Sequence, residues 1–146
     1  MLNAGDAGAL AELEGKMDRV IVDAPCTGSG VWRRRPDAKW RLAPQMLEAR
    51  LAEQRAVLDQ AAPLVKPGGR LAYITCSVLP PENRDQVDAF IARFPEFSIV
   101  PWPSLWEKAA LSAAPPQSAD GSTETLLMTP RSFGTDGFFV AVLERK

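Results

Sequence analysis

The chain has 146 residues, of which 46% are hydrophobic and 24% are charged, and its formal net charge is −1. This composition is ordinary for one globular domain with a hydrophobic core of its own. The absence of histidine excludes serine–histidine or cysteine–histidine catalytic pairs and histidine-ligated metal sites within the chain. No apolar run reaches membrane-spanning length and the first residues lack a signal pattern. We therefore expect a cytoplasmic protein without membrane contact, whose two cysteines are reduced and bind no metal.

The amino-terminal 17 residues predict a lead-in to the first core element. A short helix is expected from Ala7 to Leu13, and Asp6 stands before it in a predicted loop. From spacing alone, the best interpretation of Asp6 is a helix cap.

The segment from Asp18 to Gly30 (DRVIVDAPCTGSG) joins a β-branched run to a turn. Val20-Ile21-Val22 predicts a strand buried on both faces, as in a parallel sheet. Open α/β sheets bind ligands at the carboxyl ends of their strands, so Asp23 and Cys26 are candidate site residues. This stretch alone does not distinguish that hypothesis from a turn-capping Asp23 and a Cys26 that merely fills space.

A basic cluster occupies residues 33–41 (RRRPDAKWR), with five basic side chains and one acid. The rest of the chain therefore has a net charge of −5, and the positive charge is confined to one place. Aromatic rings among arginines can stack on bases while the cations hold phosphates. We favour nucleic-acid contact here over a solvated basic loop. The residues expected to bind are Arg33, Arg34, Arg35, Lys39, Trp40 and Arg41.

Residues after the basic cluster predict a strand–helix–strand crossover with the first strand. Leucines at helical spacing run from Pro44 to about Ala62, and the KPGG sequence at residues 66–69 predicts a turn. Arg70 to Thr75 then predicts a second buried strand, which ends at Cys76. The two strands of such a unit are neighbours, so both cysteines are expected at one carboxyl edge. Two thiols and an acid at one edge are more than packing requires, which favours a functional site. Two alternatives stay open: the cysteines only pack against their neighbours, or they are close enough to form a cross-link.

The remaining segments predict smaller elements of the same domain. No internal repeat and no second domain are evident. The expected elements are a helix opened by Pro80-Pro81-Glu82-Asn83, a weak strand at Phe97–Trp102, a short helix at Leu105–Leu111, a flexible loop at residues 112–124, an extended piece at Leu126–Thr129, a loop at Pro130–Gly137 and a final interior strand at Phe138–Leu143.

The segments DAPCTGSGVWRRRPDAKW and TCSVLPPEN together resemble the RNA cytosine-5 methyltransferases of the Sun/Nop type. The resemblance is closest to the bacterial branch that modifies small-subunit ribosomal RNA. It extends through KPGG and through TDGFF at residues 135–139, and so covers nearly the whole chain from Asp18 onward. It implies an α/β, Rossmann-like fold with a mostly parallel sheet and an antiparallel last strand. It also implies S-adenosylmethionine as the cofactor and RNA, in particular ribosomal RNA, as the partner.

The resemblance also assigns roles to individual residues. It makes the Thr-Cys cysteine, here Cys76, the nucleophile that forms a covalent adduct, while Cys26 assists release of the methylated base. It places Asp23 against the cytosine ring and beside the cofactor, with Pro25, and Asp6 near the adenine. From the residues alone either cysteine could attack. We expect the arginine cluster or a helix N-terminus to lower the pKa of the attacking thiol.

The family's glycine-rich cofactor loop, first three strands and ribose-binding acid have no counterpart in this chain. Residues 1–146 are therefore expected to form the carboxyl-terminal half of a catalytic domain. The strand edge at Val20-Ile21-Val22 would then be exposed, which predicts self-association. Two functions stay open: methyl transfer to carbon 5 of cytosine, or a catalytically inactive RNA-binding fragment of such an enzyme. A redox switch is disfavoured because neither cysteine lies in a Cys-X-X-Cys motif.

Overall fold

The computed structural model describes residues 10–109 and 115–146. In these ranges five strands form one sheet, with helices between them. The strands are β1 (Met17–Asp23), β2 (Val65–Thr75), β3 (Phe97–Ile99), β4 (Leu126–Met128) and β5 (Phe138–Arg145). The α-helices are α1 (Pro36–Arg41), α2 (Pro44–Ala61), α3 (Arg84–Arg93), α4 (Trp102–Lys108) and α5 (Pro130–Phe133), and the 3-10 turns are Ser29–Val31, Ala62–Leu64 and Pro80–Glu82.

Four strands of the sheet run in one direction and the last strand runs against them. The order is β1-β2-β5-β3, and β4 also pairs with β5. β1 and β2 are parallel, whereas β5 is antiparallel to β2, β3 and β4. This confirms the expected mostly parallel sheet with an antiparallel last strand. It also confirms the interior position of β5, which lies between β2 and β3.

Helices cover one face of the sheet. Alternate residues of β2 and β5 are buried on this face, and α2 and α3 supply the side chains that pack on them. Leu58 of α2 is 1% exposed and Phe90 of α3 is fully buried. Burial of such side chains is the main source of stability in a domain of this size. The core on this face comprises Val22, Leu58, Val65, Leu71, Tyr73, Val87, Phe90, Phe97, Phe139 and Leu143.

The other face of β1 is open among the described residues, which corrects the prediction that this strand is buried on both faces. Val22 points into the core, but Ile21 is 71% exposed. A β-strand alternates its side chains, so one covering layer buries only every second residue. β1 is also an edge strand within the described residues, where it pairs with β2 alone.

Several element boundaries differ from the prediction for local reasons. β2 begins at Val65, before the KPGG segment, because positive φ at Gly68 allows an irregularity after which the ladder resumes at Arg70. β3 ends at Ile99, and α4 begins three residues earlier than predicted, with a proline in its first turn. The segment predicted as a loop before β5 contains α5, whose first turn is capped by Thr129.

Parts of the expected lead-in and loop lie outside the described residues. Only residues 10–13 of the predicted amino-terminal helix are described. Residues 110–114, which include the end of the helix predicted at Leu105–Leu111 and the start of the loop predicted at residues 112–124, lie outside the described ranges. In the described part of that loop, Ser118 Oγ accepts a hydrogen bond from the Leu127 backbone N–H at 2.8 Å. Among the described helices, none combines the length and the apolar character that crossing a bilayer requires.

Candidate active site

The two cysteines are in direct contact at the carboxyl ends of β1 and β2. Cys26 Sγ lies 3.2 Å from Cys76 Sγ, and both residues are free thiols and half-buried. The parallel ladder explains the contact, because Asp23 and Ile74 are paired and both chains leave the sheet just beyond them. The Gly30 N–H then donates to the Cys76 carbonyl at 2.9 Å, which ties the two turns together. The prediction that both thiols lie at one edge is confirmed.

The thiol contact makes the two cysteines electrostatically different. The hydrogen bond from Cys26 lowers the pKa of Cys76 from 9.0 to about 7, against the opposing effects of burial and of the Asp23 and Glu82 charges. The same hydrogen bond, together with burial, raises the pKa of Cys26. Cys76 is therefore the thiol that ionises first, and Cys26 holds its proton.

This result corrects the expected origin of the low pKa. The arginine cluster or a helix N-terminus was the predicted cause, but the neighbouring thiol has the largest effect on Cys76. A single hydrogen bond to the charged form favours ionisation strongly at short range. Exposed guanidinium groups act through solvent, which screens them.

The other candidate site residues lie on the same side of the sheet or outside the described residues. Asp23 is the last residue of β1, is exposed, and is close enough for its charge to raise the pKa of Cys76. Pro25 is half-buried, and its carbonyl accepts a hydrogen bond from Gln54 Nε2 at 2.9 Å. Asp6 lies outside the described residues.

Glu82 is a site residue that the sequence analysis missed. Its side chain is fully buried and accepts four hydrogen bonds. Oε1 accepts from the Thr27 backbone N–H at 2.8 Å and from Gln54 Nε2 at 3.0 Å. Oε2 accepts from Thr27 Oγ1 at 2.6 Å and from Ser77 Oγ at 2.5 Å. The PPEN sequence predicted only a helix start, because nothing in the spacing reveals which strand ends the carboxylate meets.

The side chains of Ser29 and Ser77 form a second connection between the turn after β1 and the turn after β2. Ser29 Oγ and Ser77 Oγ are 2.9 Å apart, and both side chains are buried. The Val78 N–H donates to Ser29 Oγ at 2.9 Å, and the Leu79 N–H donates to Ser77 Oγ at 3.1 Å. Buried hydrogen bonds of this kind hold the two turns in one geometry, because breaking one leaves a buried polar atom unpaired, which is unfavourable in free energy.

The arginines that open the basic cluster are anchored by an acid from the other end of the chain. Asp136 Oδ2 accepts a hydrogen bond from Arg34 Nε at 2.6 Å, and Asp136 Oδ1 lies 3.5 Å from Arg33 Nη2. Arg35 is exposed. Asp136 thus offsets part of the positive charge while it fixes the direction of two guanidinium groups.

The rest of the basic cluster forms α1, where aromatic rings and cations meet. Lys39 Nζ lies 5.8 Å from the Trp32 ring and 5.5 Å from the Trp40 ring, and Trp40 is 82% exposed. Arg41 pairs with Asp37 one turn earlier, at 2.5 Å. An exposed tryptophan beside a lysine is a suitable surface for stacking an unpaired base.

A cavity of about 180 Å³ connects Cys26 with the basic cluster. It lies between the turn after β1 and the helices α1 and α2. Its walls are partly apolar, and Arg41 and Arg50 contribute the charged groups. The lining residues are Cys26, Thr27, Ala38, Arg41, Leu42, Met46 and Arg50.

The sequence of this chain is similar to those of several known proteins. The family model described as 16S rRNA methyltransferase RsmB/F matches residues 2–144. The chain is 44% identical over 146 residues to the "Probable ribosomal RNA small subunit methyltransferase B" of Bacillus subtilis, covering 99% of this chain and 31% of that protein. It is 40% identical over 133 residues to the "Ribosomal RNA small subunit methyltransferase B" of Salmonella newport, covering 91% of this chain and 27% of that protein. The chain thus spans less than a third of the length of these curated relatives.

Solved structures show the same fold. The crystal structure of PH0851 matches with a TM-score of 0.76 and 37% identity, covering 90% of this chain and 27% of that one. The crystal structure of NSun6 from Pyrococcus horikoshii with SFG matches with a TM-score of 0.73 and 28% identity, covering 96% of this chain and 33% of that one. These likenesses confirm the Rossmann-like α/β fold expected from the sequence.

Proposed function

The chain belongs to the RsmB/F family of 16S rRNA methyltransferases, and on that premise we propose that it carries the catalytic cysteines of an RNA cytosine-5 methyltransferase. Residues 1–146 then act as one part of the catalytic domain, and the methyl group comes from S-adenosylmethionine. The observation that supports this proposal best is the 3.2 Å contact between the thiols, in which Cys76 has the lower pKa.

The first step of the proposed reaction is attack by Cys76. Carbon 5 of cytosine is a poor nucleophile. When the Cys76 thiolate adds to carbon 6, the electron pair of the carbon 5–carbon 6 double bond becomes available at carbon 5. Asp23, protonated when the base binds, donates its proton to ring nitrogen 3; this balances the negative charge that thiolate addition brings to the ring and leaves Asp23 as a carboxylate. A pKa of about 7 supplies the thiolate at neutral pH.

Cys26 serves the release step in this proposal. After methyl transfer, carbon 5 carries both a methyl group and its original proton, and that proton must leave before the Cys76 sulfur is expelled. Once Cys76 is bonded to carbon, its sulfur no longer accepts the Cys26 hydrogen bond as a thiolate. The main cause of the raised Cys26 pKa is then gone, so Cys26 can lose its proton to water and, as a thiolate, take the proton from carbon 5.

The residues proposed to hold the cofactor lie around the end of β1. When bound, S-adenosylmethionine supplies an electrophilic methyl group on a cationic sulfur. The exposed carboxylate of Asp23 suits such a cation, and Pro25 adjoins it, so the residues present fit the group. Asp6 completes the proposed set. The relative solved with SFG, an S-adenosylmethionine analogue, supports this use of the cofactor.

Ribosomal RNA is the proposed partner, and the basic cluster is its proposed binding surface. Arginines and a lysine neutralise phosphates, while the exposed Trp40 ring offers a stacking surface. Arg41 of that surface and Cys26 line the same cavity. We therefore propose that the RNA backbone lies along α1 and that the target base approaches through this cavity.

The second candidate is an RNA-binding part without catalysis of its own. The specific observation in its favour is that the chain spans less than a third of the length of its curated relatives, yet contains the whole basic cluster at residues 33–41. Titration with S-adenosylmethionine distinguishes the two. Binding of RNA without heat of cofactor binding at micromolar protein supports the second candidate, and cofactor binding contradicts it.

Covalent trapping tests the first proposal. RNA containing 5-fluorocytosine cannot lose its ring substituent as a proton, so the Cys76 adduct persists after methyl transfer. The test uses a chimera in which residues 1–146 replace the matching segment of the Bacillus subtilis relative. We expect this chimera to form a protein–RNA adduct that needs S-adenosylmethionine and is lost in Cys76→Ser. With ordinary cytosine, Cys26→Ser is expected to accumulate the adduct, because release is blocked. The unaltered relative serves as the assay control, and an adduct with that protein but none with the chimera would overturn the proposal.

A further inference from the structure

One buried carboxylate joins the two turns that carry the cysteines. Thr27 directly follows Cys26 and Ser77 directly follows Cys76, and both donate to Glu82. The three elements come from separate parts of the chain, and Glu82 itself lies in the 3-10 turn before α3. No other described acid is fully buried.

The hydrogen bonds of this network require an acceptor at residue 82. Ser77 Oγ has a single proton and donates it to Glu82 Oε2, which as a carboxylate oxygen only accepts. Ser77 Oγ therefore accepts from Ser29 Oγ and from the Leu79 N–H, while Ser29 Oγ accepts from the Val78 N–H. The Glu82 side chain meets four donors, which matches the acceptor capacity of an ionised carboxylate.

The position of Glu82 is fixed independently of these bonds. The Tyr73 hydroxyl donates to the Glu82 carbonyl at 2.6 Å. The neighbouring Asn83 donates through Nδ2 to the Ser77 carbonyl at 2.9 Å and accepts from Thr75 Oγ1 at 2.6 Å. The carboxylate therefore projects from a rigid base, and burial of its charge is compensated by hydrogen bonds.

We propose that Glu82 is a positioning residue that holds Cys26 and Cys76 in contact by binding the residue that follows each of them. It is fully buried and its four side-chain hydrogen bonds go to Thr27, Gln54 and Ser77, so it acts on the sulfurs through Thr27 and Ser77. The role in catalysis rests on the proposed function. The effect of Glu82 on the contact between the thiols does not depend on the proposed function, because it can be measured in the chain without RNA or cofactor.

Two substitutions distinguish the effect of the length of the Glu82 side chain on the Cys76 pKa from the effect of its charge. Glu82→Asp keeps the charge but shortens the side chain by one methylene, so it no longer reaches both turns. The thiols are expected to separate, and the pKa of Cys76 rises toward 9.0. Glu82→Gln keeps the length but places an NH2 donor against two other donors, so it breaks part of the network. It also removes a negative charge that raises the pKa of Cys76, so its upward pKa shift is expected to be smaller than that of Glu82→Asp. A simple charge effect would leave the Cys76 pKa of Glu82→Asp unchanged, so an upward shift in that variant distinguishes positioning from charge.

The measurement is the pH dependence of Cys76 alkylation by iodoacetamide, read by mass spectrometry of the Cys76 peptide. We expect the alkylation rate of Glu82→Asp at pH 7 to fall roughly tenfold for each unit of upward pKa shift. Glu48→Asp, an exposed acid on α2, is the matched control and is expected to titrate as wild type. Asp23 also acts on Cys76, and it is present in every variant.

A milder variant keeps the proposal testable where Glu82→Asp does not fold. Thr27→Val is nearly isosteric and removes only the Oγ1 donor, while the Thr27 backbone bond remains. A smaller upward shift of the Cys76 pKa is expected, with circular dichroism unchanged. Wild-type titration of both Glu82→Asp and Thr27→Val, or a downward shift in both, would overturn the positioning role. Failure of methyl transfer with the thiol shifts intact would instead contradict the proposed function.

Discussion

The backbones of Gly30 and Gly137 touch, and no side chain fits between them. The Gly137 N–H donates to the Gly30 carbonyl at 2.8 Å, and a Cβ placed on Gly30 would lie 2.3 Å from the Gly137 carbonyl oxygen. This contact joins the turn that carries Cys26 to the segment that enters β5. It therefore connects the thiol pair, the anchored arginines and the last strand in one small region.

Gly30→Ala is accordingly expected to destabilise the chain and to disturb the thiols. Both clashing partners are backbone atoms, so the turn must move, at a cost of about 1–3 kcal/mol in the free energy of unfolding. The Gly30 N–H also binds the Cys76 carbonyl, so the alkylation profile of Cys76 is expected to change. Chemical denaturation and iodoacetamide titration measure the two effects. Gly121→Ala is the control: it strains a positive φ in open space and is expected to lower stability without altering Cys76.

Removal of the Cys26 thiol is expected to raise the pKa of Cys76. In the wild type, Cys76 alkylation should rise with pH around a midpoint of about 7, because the thiolate is the reactive form. In Cys26→Ala the main cause of the lowered pKa is gone, so the midpoint moves toward 9.0. The rate at pH 7 should then fall by about an order of magnitude or more. An unchanged midpoint would mean that the thiol contact does not control ionisation.

The exposed Trp40 is expected to contribute to RNA affinity by stacking. Trp40→Ala should weaken binding of a single-stranded ribosomal RNA fragment by about 1–3 kcal/mol, roughly 5-fold to 150-fold. Lys39→Ala should instead flatten the salt dependence of binding, since one phosphate contact is lost. Fluorescence anisotropy over a range of salt concentrations measures both. Arg93→Ala removes a cation that pairs with Asp59 outside the basic cluster, and is expected to leave the affinity unchanged.

Self-association through β1 is expected because, among residues 10–109 and 115–146, one edge of this strand has no partner. Strands with unpaired backbone groups and an apolar side chain on the open face add further strands. We expect light scattering to detect dimers or larger species at micromolar concentration. Ile21→Lys should shift the population toward monomer, because Ile21 is 71% exposed on that strand. A wild-type chain that remains monomeric at all concentrations would contradict this prediction.

Much of the site followed from local sequence signals. A β-branched run before Asp23, leucines at helical spacing and a second apolar run before Cys76 indicate a strand–helix–strand unit. The pairing of its two strands brings the turns after them together. This inference succeeds because the carboxyl ends of adjacent parallel strands are neighbours whatever side chains surround them. It required no knowledge of the packing.

The sequence by itself thus determined the strand–helix–strand unit around the site and the meeting of two thiols at one edge, while the direction of the last strand came from the family resemblance. Only the tertiary structure decided which thiol ionises, that Glu82 joins the two turns, that Asp136 directs Arg34, and that Ile21 is exposed. Periodicity and turn residues act over a few positions and are visible in the chain. Hydrogen bonds between side chains 50 or more residues apart, and the exposure of Ile21 within the described part of the chain, depend on distances that exist only once the sheet has formed.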